Sequence, residues 1–222
     1  MQSKYYFSGV VGPREIRVLA GEKAAGMVNA LQAAKNSLIE AYKTYAQVPL
    51  SLDSGSFQGN RDLEGYAGLI RHIGERFEWI ASLDVIGNPA ASAENYRRLQ
   101  KLLPADLATK LVWVYQGGDL EELRRIAAQT GFIGIGGLVP MIVRSGVATL
   151  SYLEEVGGVI EDEGATAHLF GVGKASVLLQ VAGERWFRSA DASSWLCGFR
   201  SRELIGSQCK GNVRLVYRYF CA

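Results

Sequence analysis

Residues 48–58 read VPLSLDSGSFQ, an apolar run that stops at Asp53 and passes into small residues and glycine. A buried parallel strand reads this way: apolar toward both faces, then polar where the loop begins at its carboxyl end. The same pattern recurs at Ile16–Leu19, Trp79–Asp84, Leu111–Tyr115, Phe132–Ile135, His168–Val172 and Trp186–Ala190. Helical spacing fills the gaps. Ala24, Met27, Val28, Leu31, Ala34, Leu38 and Tyr42 predict a helix over 22–46, and Leu63, Tyr66, Ile70 and Phe77 predict one over 60–77. Asn88-Pro89 reads as a cap with proline in the first turn of a helix running to Leu103. Asp119 with Glu122 forms a capping box, and Gly131 marks that helix's end. Further helices are expected at 145–156 and 174–185.

Strand and helix in alternation mean α/β. A closed (β/α) barrel and an open doubly wound sheet both fit the alternation. The polar positions separate them. Asp53, Asp84, Gln116, Gly136-Gly137, Gly171-Val172-Gly173 and Asp191 each close a different strand. A barrel builds its site from the carboxyl ends of many strands, whereas an open sheet concentrates it at one switch point. The expected fold is a compact (β/α)8 TIM-type barrel, one domain over 1–222, with a modified first and last unit. The first 15 and last 20 residues are the least legible.

The 222 residues, 48% hydrophobic and 21% charged, suit a packed domain rather than a disordered chain. No apolar stretch reaches the roughly 18 to 20 residues of a membrane span. The opening Met-Gln-Ser-Lys-Tyr-Tyr lacks a signal core, so a cytoplasmic location and no membrane partner are expected. Cys197, Cys209 and Cys221, twelve residues apart, match neither a disulfide framework nor a tight zinc pattern. No metal and no cofactor are expected. The net charge is +2, but from Glu184 onward seven Arg or Lys face three acids. Arg185, Arg188, Arg200, Arg202 and Lys210 are candidate phosphate contacts, with an ordinary solvated surface as the other reading.

Several strand ends can carry chemistry. After Asp53, the small residues Ser54 and Gly55 let backbone approach a flat ligand, with Phe57 and Gln58 following. Asp84 can accept from the N–H groups of a guanine-like base, and Gln116 offers a donor and an acceptor to a purine edge. Gly136, Gly137 and Leu138 expose backbone polar groups. Asp191, among small hydroxyl residues, can attack an anomeric carbon. Taken singly, Asp53 and Asp84 read as loop caps, and Gly171-Val172-Gly173-Lys174 reads as a strand-to-helix turn. His72 and His168 read as structural, and no G-x-S-x-G supports a serine nucleophile.

In order, Asp53-Ser-Gly-Ser-Phe-Gln58, Ser82-Leu-Asp84, Tyr115-Gln116-Gly117, Ile135-Gly-Gly-Leu138, Gly171-Val-Gly-Lys174 and the Asp191 segment resemble the tRNA-guanine transglycosylase superfamily. The resemblance spans residues 48–195. It implies a barrel that exchanges guanine in a nucleic acid for a 7-deazaguanine. It implies Asp191 as nucleophile, Asp53 as general acid/base, and Asp84, Gln116, Gly137 and Leu138 as base-recognising. Three features depart from the tRNA enzymes, one of them a much shorter chain with no archaeal-type RNA-binding extension. No C-x-C-x-x-C…His zinc module follows Asp191, and Val139-Pro140-Met141 stands where bacterial enzymes carry a glutamate. The closest resemblance is to the DNA-guanine transglycosylases of 7-deazaguanine DNA modification, found in phages and bacterial modification clusters. DNA and a base such as 7-cyano-7-deazaguanine are thus the expected partners, with a homodimer or accessory protein compatible. A tRNA transglycosylase, a non-catalytic partner subunit and an unrelated purine-binding barrel are the alternatives.

Overall fold

The computed structural model describes residues 4–193. Nine parallel strand segments form one sheet: β1 (Lys4–Val10), β2 (Ala25–Asn29), β3 (Leu50–Asp53), β4 (Ile80–Ala81), β5 (Leu111–Val112), β6 (Val114–Tyr115), β7 (Phe132–Ile135), β8 (Thr166–Leu169) and β9 (Phe187–Ala192). The order around the sheet is β5-β4-β3-β2-β1-β9-β8-β7-β6. Its two end segments, β5 and β6, are consecutive in the chain and separated only by Trp113. They form one broken strand that pairs with β4 on one side and β7 on the other. Eight strands therefore encircle the molecule, in the expected (β/α)8 TIM-type architecture.

The break is stitched by side chain and backbone together. Ser82 N–H donates to the Val112 carbonyl at 2.8 Å. The Ser82 hydroxyl then accepts from Val114 N–H at 3.1 Å, which leaves no ladder donor orphaned there. On the other side Gly134 N–H donates to the Trp113 carbonyl at 2.8 Å.

Helices α1 (Pro13–Gly21), α2 (Ala30–Ala33), α3 (Asn36–Thr44), α4 (Leu63–Ile73), α5 (Pro89–Leu102), α6 (Ala105–Ala108), α7 (Leu120–Thr130), α8 (Leu138–Arg144), α9 (Gly146–Asp162) and α10 (Ala175–Val181) follow the strands. Several termini are those the sequence announces. Asn88 caps α5 by accepting from Ala91 N–H, Asp119 caps α7 by accepting from Glu121 N–H, and Gly131 ends α7 at φ +65°.

Two expectations are corrected. Ile16–Leu19 is not a strand but the core face of α1, which Pro13 opens and which buries Ile16 and Leu19. The expected helix over 22–46 contains β2 at its start. All five residues of β2 are buried, so its apolar run carries no alternation to distinguish it from a helix. Gly26 is required there, because a Cβ would strike the side chains of Leu19, Leu50 and Val10. The strand β1, in the poorly legible start, completes the ring by pairing with β2 and β9.

The core has two layers. The larger lies between sheet and helices, with Val10, Ile16, Leu50, Leu52, Ile80 and Ile133 among its members. The smaller fills the barrel: Tyr6, Ala25, Met27, Trp79, Ala81, Val112 and Val114, with Phe132 and Phe170 against them. Outside the barrel, Gly157 of α9 lies so close to the Trp186 indole that a Cβ would run into the ring, whereas at Gly158 a Cβ meets nothing within 4 Å. An alanine in a helix interior usually gains roughly 0.5–1 kcal/mol over glycine. Gly158→Ala should show that gain in urea unfolding. Gly157→Ala should instead lose about 1–3 kcal/mol, because Trp186 is buried and cannot yield.

Candidate active site

The carboxyl ends of the strands open into a cavity of about 810 Å³ lined by Asn29, Asp53, Asp84, Gln116, Gly136, Gly171 and Asp191, among others. Phe57, Gln58, Gly137 and Leu138 also line it. The sequence-predicted acids from three strand ends thus share one mouth. Exposed apolar side chains rim it: Phe57, Ile86, Val139 and Val143 all line the opening.

Asp84 is held from two directions. Ser54 Oγ donates to its Oδ1 at 2.9 Å, and Gln116 Nε2 donates to its Oδ2. The Ser56 hydroxyl donates to the Asp84 carbonyl at 2.8 Å, so the loop after β3 is tied to the end of β4. Gly136 makes room for this arrangement, because a Cβ there would collide with the Gln116 amide. Ser54 is therefore not a direct ligand group: it is buried, and its hydroxyl is spent on Asp84. Gly55, at φ +77°, packs against Asn29, Leu31 and Asn60 and turns the chain behind the wall.

Asp53 lies across the mouth. Asn29 Nδ2 donates to its Oδ2 at 3.1 Å and to Gln58 Oε1 at 2.8 Å. Burial pushes the Asp53 carboxyl up to about 7, and the charges of Asp191 and Asp84 push the same way. Hydrogen bonds from Gly55 and Asn29 oppose the rise. Near neutrality Asp53 can therefore both give and take a proton.

Asp191, at the end of β9, is 5% exposed. Its Oδ1 accepts from Gly171 N–H at 3.0 Å and bonds His168 Nε2 at 3.1 Å. His168 Nδ1 lies 2.9 Å from Ser189 Oγ. Burial pushes the imidazole down, against the opposing pull of Asp191.

Two mouth groups escape the sequence reading. Asn29 is hidden because β2 reads as helix. His168, read as structural, does contact Asp191; the available signal is an inward polar residue in an apolar strand, in register with Ser189. Arg185 and Arg188 lie elsewhere. Arg185 sits in the loop entering β9 and pairs with Glu161 at 3.5 Å, and Arg188 stacks over Phe132, the first residue of β7, at 4.2 Å. Both are at the amino end of the barrel, opposite the mouth, so neither can hold a nucleic acid entering there. Arg200, Arg202, Lys210 and the three cysteines fall outside the described residues. Among the described residues, no three His, Cys, Asp or Glu side chains are placed to hold a metal ion. No described helix is long and apolar enough to cross a membrane.

No family model matches the sequence, and no curated protein does. Solved structures do. The YdjI aldolase of Escherichia coli K12 superposes with a TM-score of 0.63 at 12% identity, over 99% of this chain and 91% of that one. A Coccidioides immitis protein assigned as a fructose-1,6-biphosphate aldolase gives 0.62 at 12% identity, over 99% and 90%. The HpcH/HpaI aldolase of Desulfitobacterium hafniense DCB-2 gives 0.60 at 15% identity, over 97% and 92%. At such identities the likeness is one of fold, and chemistry must be argued from the mouth itself.

The raised carboxyl has a consequence for stability. A folded-state value of about 7, above the ordinary 3.8, means that the folded protein binds this proton more tightly than the unfolded chain. Stability from this group is present at low pH and falls as pH rises from about 4 through 7. Asp53→Asn should therefore raise stability at pH 8 by roughly 1–3 kcal/mol, allowing for the residue's partial exposure, and change it little at pH 4. Thermal unfolding at the two pH values measures this.

Proposed function

We propose that the chain is an enzyme, a base-exchange glycosyltransferase that replaces guanine in DNA with a 7-deazaguanine. The observation that carries the reading is one mouth holding three carboxylates with three different sets of partners. Asp84, fixed by Ser54 and Gln116, faces the cavity with acceptor capacity to spare. With the Gln116 amide and the Gly136-Gly137 backbone it can read the hydrogen-bonding edge of a guanine. Asp191, oriented through Oδ1, is the nucleophile. Asp53, half-protonated near neutrality, handles the proton.

The steps balance. A target nucleotide leaves the stack and enters the mouth, where Phe57, Ile86 and Val143 offer apolar surface to it and Arg144 can meet a phosphate. An Asp191 oxygen bonds to C1′ as the C1′–N9 bond breaks. The bond's electron pair goes to N9, which takes the proton from Asp53. The incoming base then gives its N9 proton to Asp53, N9 attacks C1′, and the Asp191 ester bond breaks. Asp53 ends as it began, and neither redox nor nucleotide hydrolysis is needed.

Guanine-containing DNA incubated with labelled 7-cyano-7-deazaguanine should gain label. Asp191→Ala should gain none, and label incorporated at the native rate by that variant would remove Asp191 as nucleophile. Parallel reactions with tRNA distinguish the two nucleic acids, and a covalent adduct on a denaturing gel distinguishes an enzyme from a non-catalytic subunit.

The first step requires protonated Asp53. Its rate should fall as pH rises through about 7. The Asn29 bond lowers the Asp53 value, so Asn29→Ala should move that falling limb to higher pH. Single-turnover adduct formation against pH measures both.

A further inference from the structure

We propose that His168 is a positioning residue for Asp191: a neutral imidazole, its proton held on Nε2 by the acceptor-only Asp191 carboxylate, that claims Oδ1 and leaves Oδ2 as the attacking atom. This rests on the reading of Asp191 as nucleophile. Three observations carry it. Both N–H bonds to Asp191, from Gly171 and from His168, fall on Oδ1. Ser189 Oγ, 2.9 Å from Nδ1, donates there when Nε2 carries the proton. The ring itself cannot turn. It is fully buried, with Phe170 and Trp79 at ring-centre distances of 4.6 and 4.7 Å and Tyr6 at 5.8 Å.

The surroundings favour the neutral form. Arg188, from the base of β9, acts in the same direction as burial, and Asp191 against them. Tyr6 is itself held to Glu78 and to Trp79, and is pushed well above its ordinary value, so it adds no charge. A neutral donor orients the carboxylate without neutralising it, as an imidazolium would.

The role has a chemical signature. A hydrogen bond to Oδ1 is stronger when the group is a carboxylate than when it is an ester. His168 therefore favours release of Asp191 in the second half of the exchange, when its charge returns. Loss of the donor should shift the balance toward the covalent adduct. A purely structural histidine predicts the reverse, less folded protein and less adduct.

The test uses three proteins on guanine-containing DNA. Relative to native, His168→Leu should lower kcat about 10- to 100-fold, as expected for one hydrogen bond to a charged group, with KM for the free base nearly unchanged. The fraction trapped as adduct should rise. His168→Gln, which keeps an N–H donor of similar reach, should recover most of kcat and the native adduct fraction. Equal losses in both variants, or a lower adduct fraction in the leucine variant, would overturn the proposal.

A second measurement does not depend on activity. The chain has two histidines, so a His72→Gln background leaves one imidazole. Nitrogen-15 NMR should find it neutral and protonated on Nε2 at and above neutral pH, with its signals displaced by Asp191→Asn. Titration in that range, an Nδ1–H tautomer, or indifference to Asp191→Asn would each refute the arrangement. Native protein that forms no adduct while passing the NMR test would instead count against the transglycosylase reading alone.

Discussion

The molecule depends on one strand serving two neighbours. Residues 111–115 must pair with β4 on one side and β7 on the other, or the sheet stays open. Parallel strands that twist and tilt cannot keep both ladders in register without adjustment. The adjustment is at Trp113, where the β4 ladder ends and the Ser82 hydroxyl takes over the Val114 N–H. Closure then decides what meets at the carboxyl rim. Asp84 comes two residues after Ser82 and Gln116 two after Val114, so the same junction that shuts the barrel delivers the Gln116 amide to the Asp84 carboxylate. Gly136, at the end of the next strand, supplies the space. The proposed base-reading surface is thus a product of closure rather than a separate insertion.

Closure also forces like charges together. Asp53, Asp84 and Asp191 end three strands of one small barrel, and the mouth cannot treat them alike. The molecule divides them by donors. Asp84 receives a hydroxyl and an amide, and Asp191 receives a backbone N–H and an imidazole. Asp53 receives the Asn29 amide and a backbone bond from Gly55, but meets both other charges as well as burial, and the balance leaves it protonatable near pH 7. An acid that holds a proton beside one that can attack carbon is what a two-step glycosyl transfer asks for. The arrangement costs stability at neutral pH, which is the usual direction of compromise at a functional site.

The barrel was legible in the sequence where strands end in polar residues and helices begin with caps. Residues 48–58 announce β3, its acid and its glycine turn, and Asn88, Asp119 and Gly131 announce helix ends. Legibility fails where burial is complete. β2 is apolar on every residue, and a short run of that kind has no period to read. Ile16 and Leu19 mislead for the converse reason: one turn of a buried helix resembles a strand. The acids of the mouth were visible because each follows a strand. Asn29 was not, because its strand was not. Ser54 and Gly55 read as ligand groups, yet they build the wall from behind; sequence marks a position as special without saying which side of the wall it serves. Arg185 and Arg188 stand out as charge, but charge count carries no direction, and the strand's polarity sends them to the opposite rim.

The interior layer explains why the mouth can be reactive at one end only. Tyr6, Trp79 and Phe170 pack their rings around His168, with Phe132 behind Trp79, and its two nitrogens carry the polar path downward from Asp191. That path stops at the Ser189 hydroxyl. The carboxylates Asp53, Asp84 and Asp191 line the cavity at the rim. In the proposed exchange, a nucleic acid that covers the rim would shield the glycosyl ester from water, which favours a second base over hydrolysis as the acceptor.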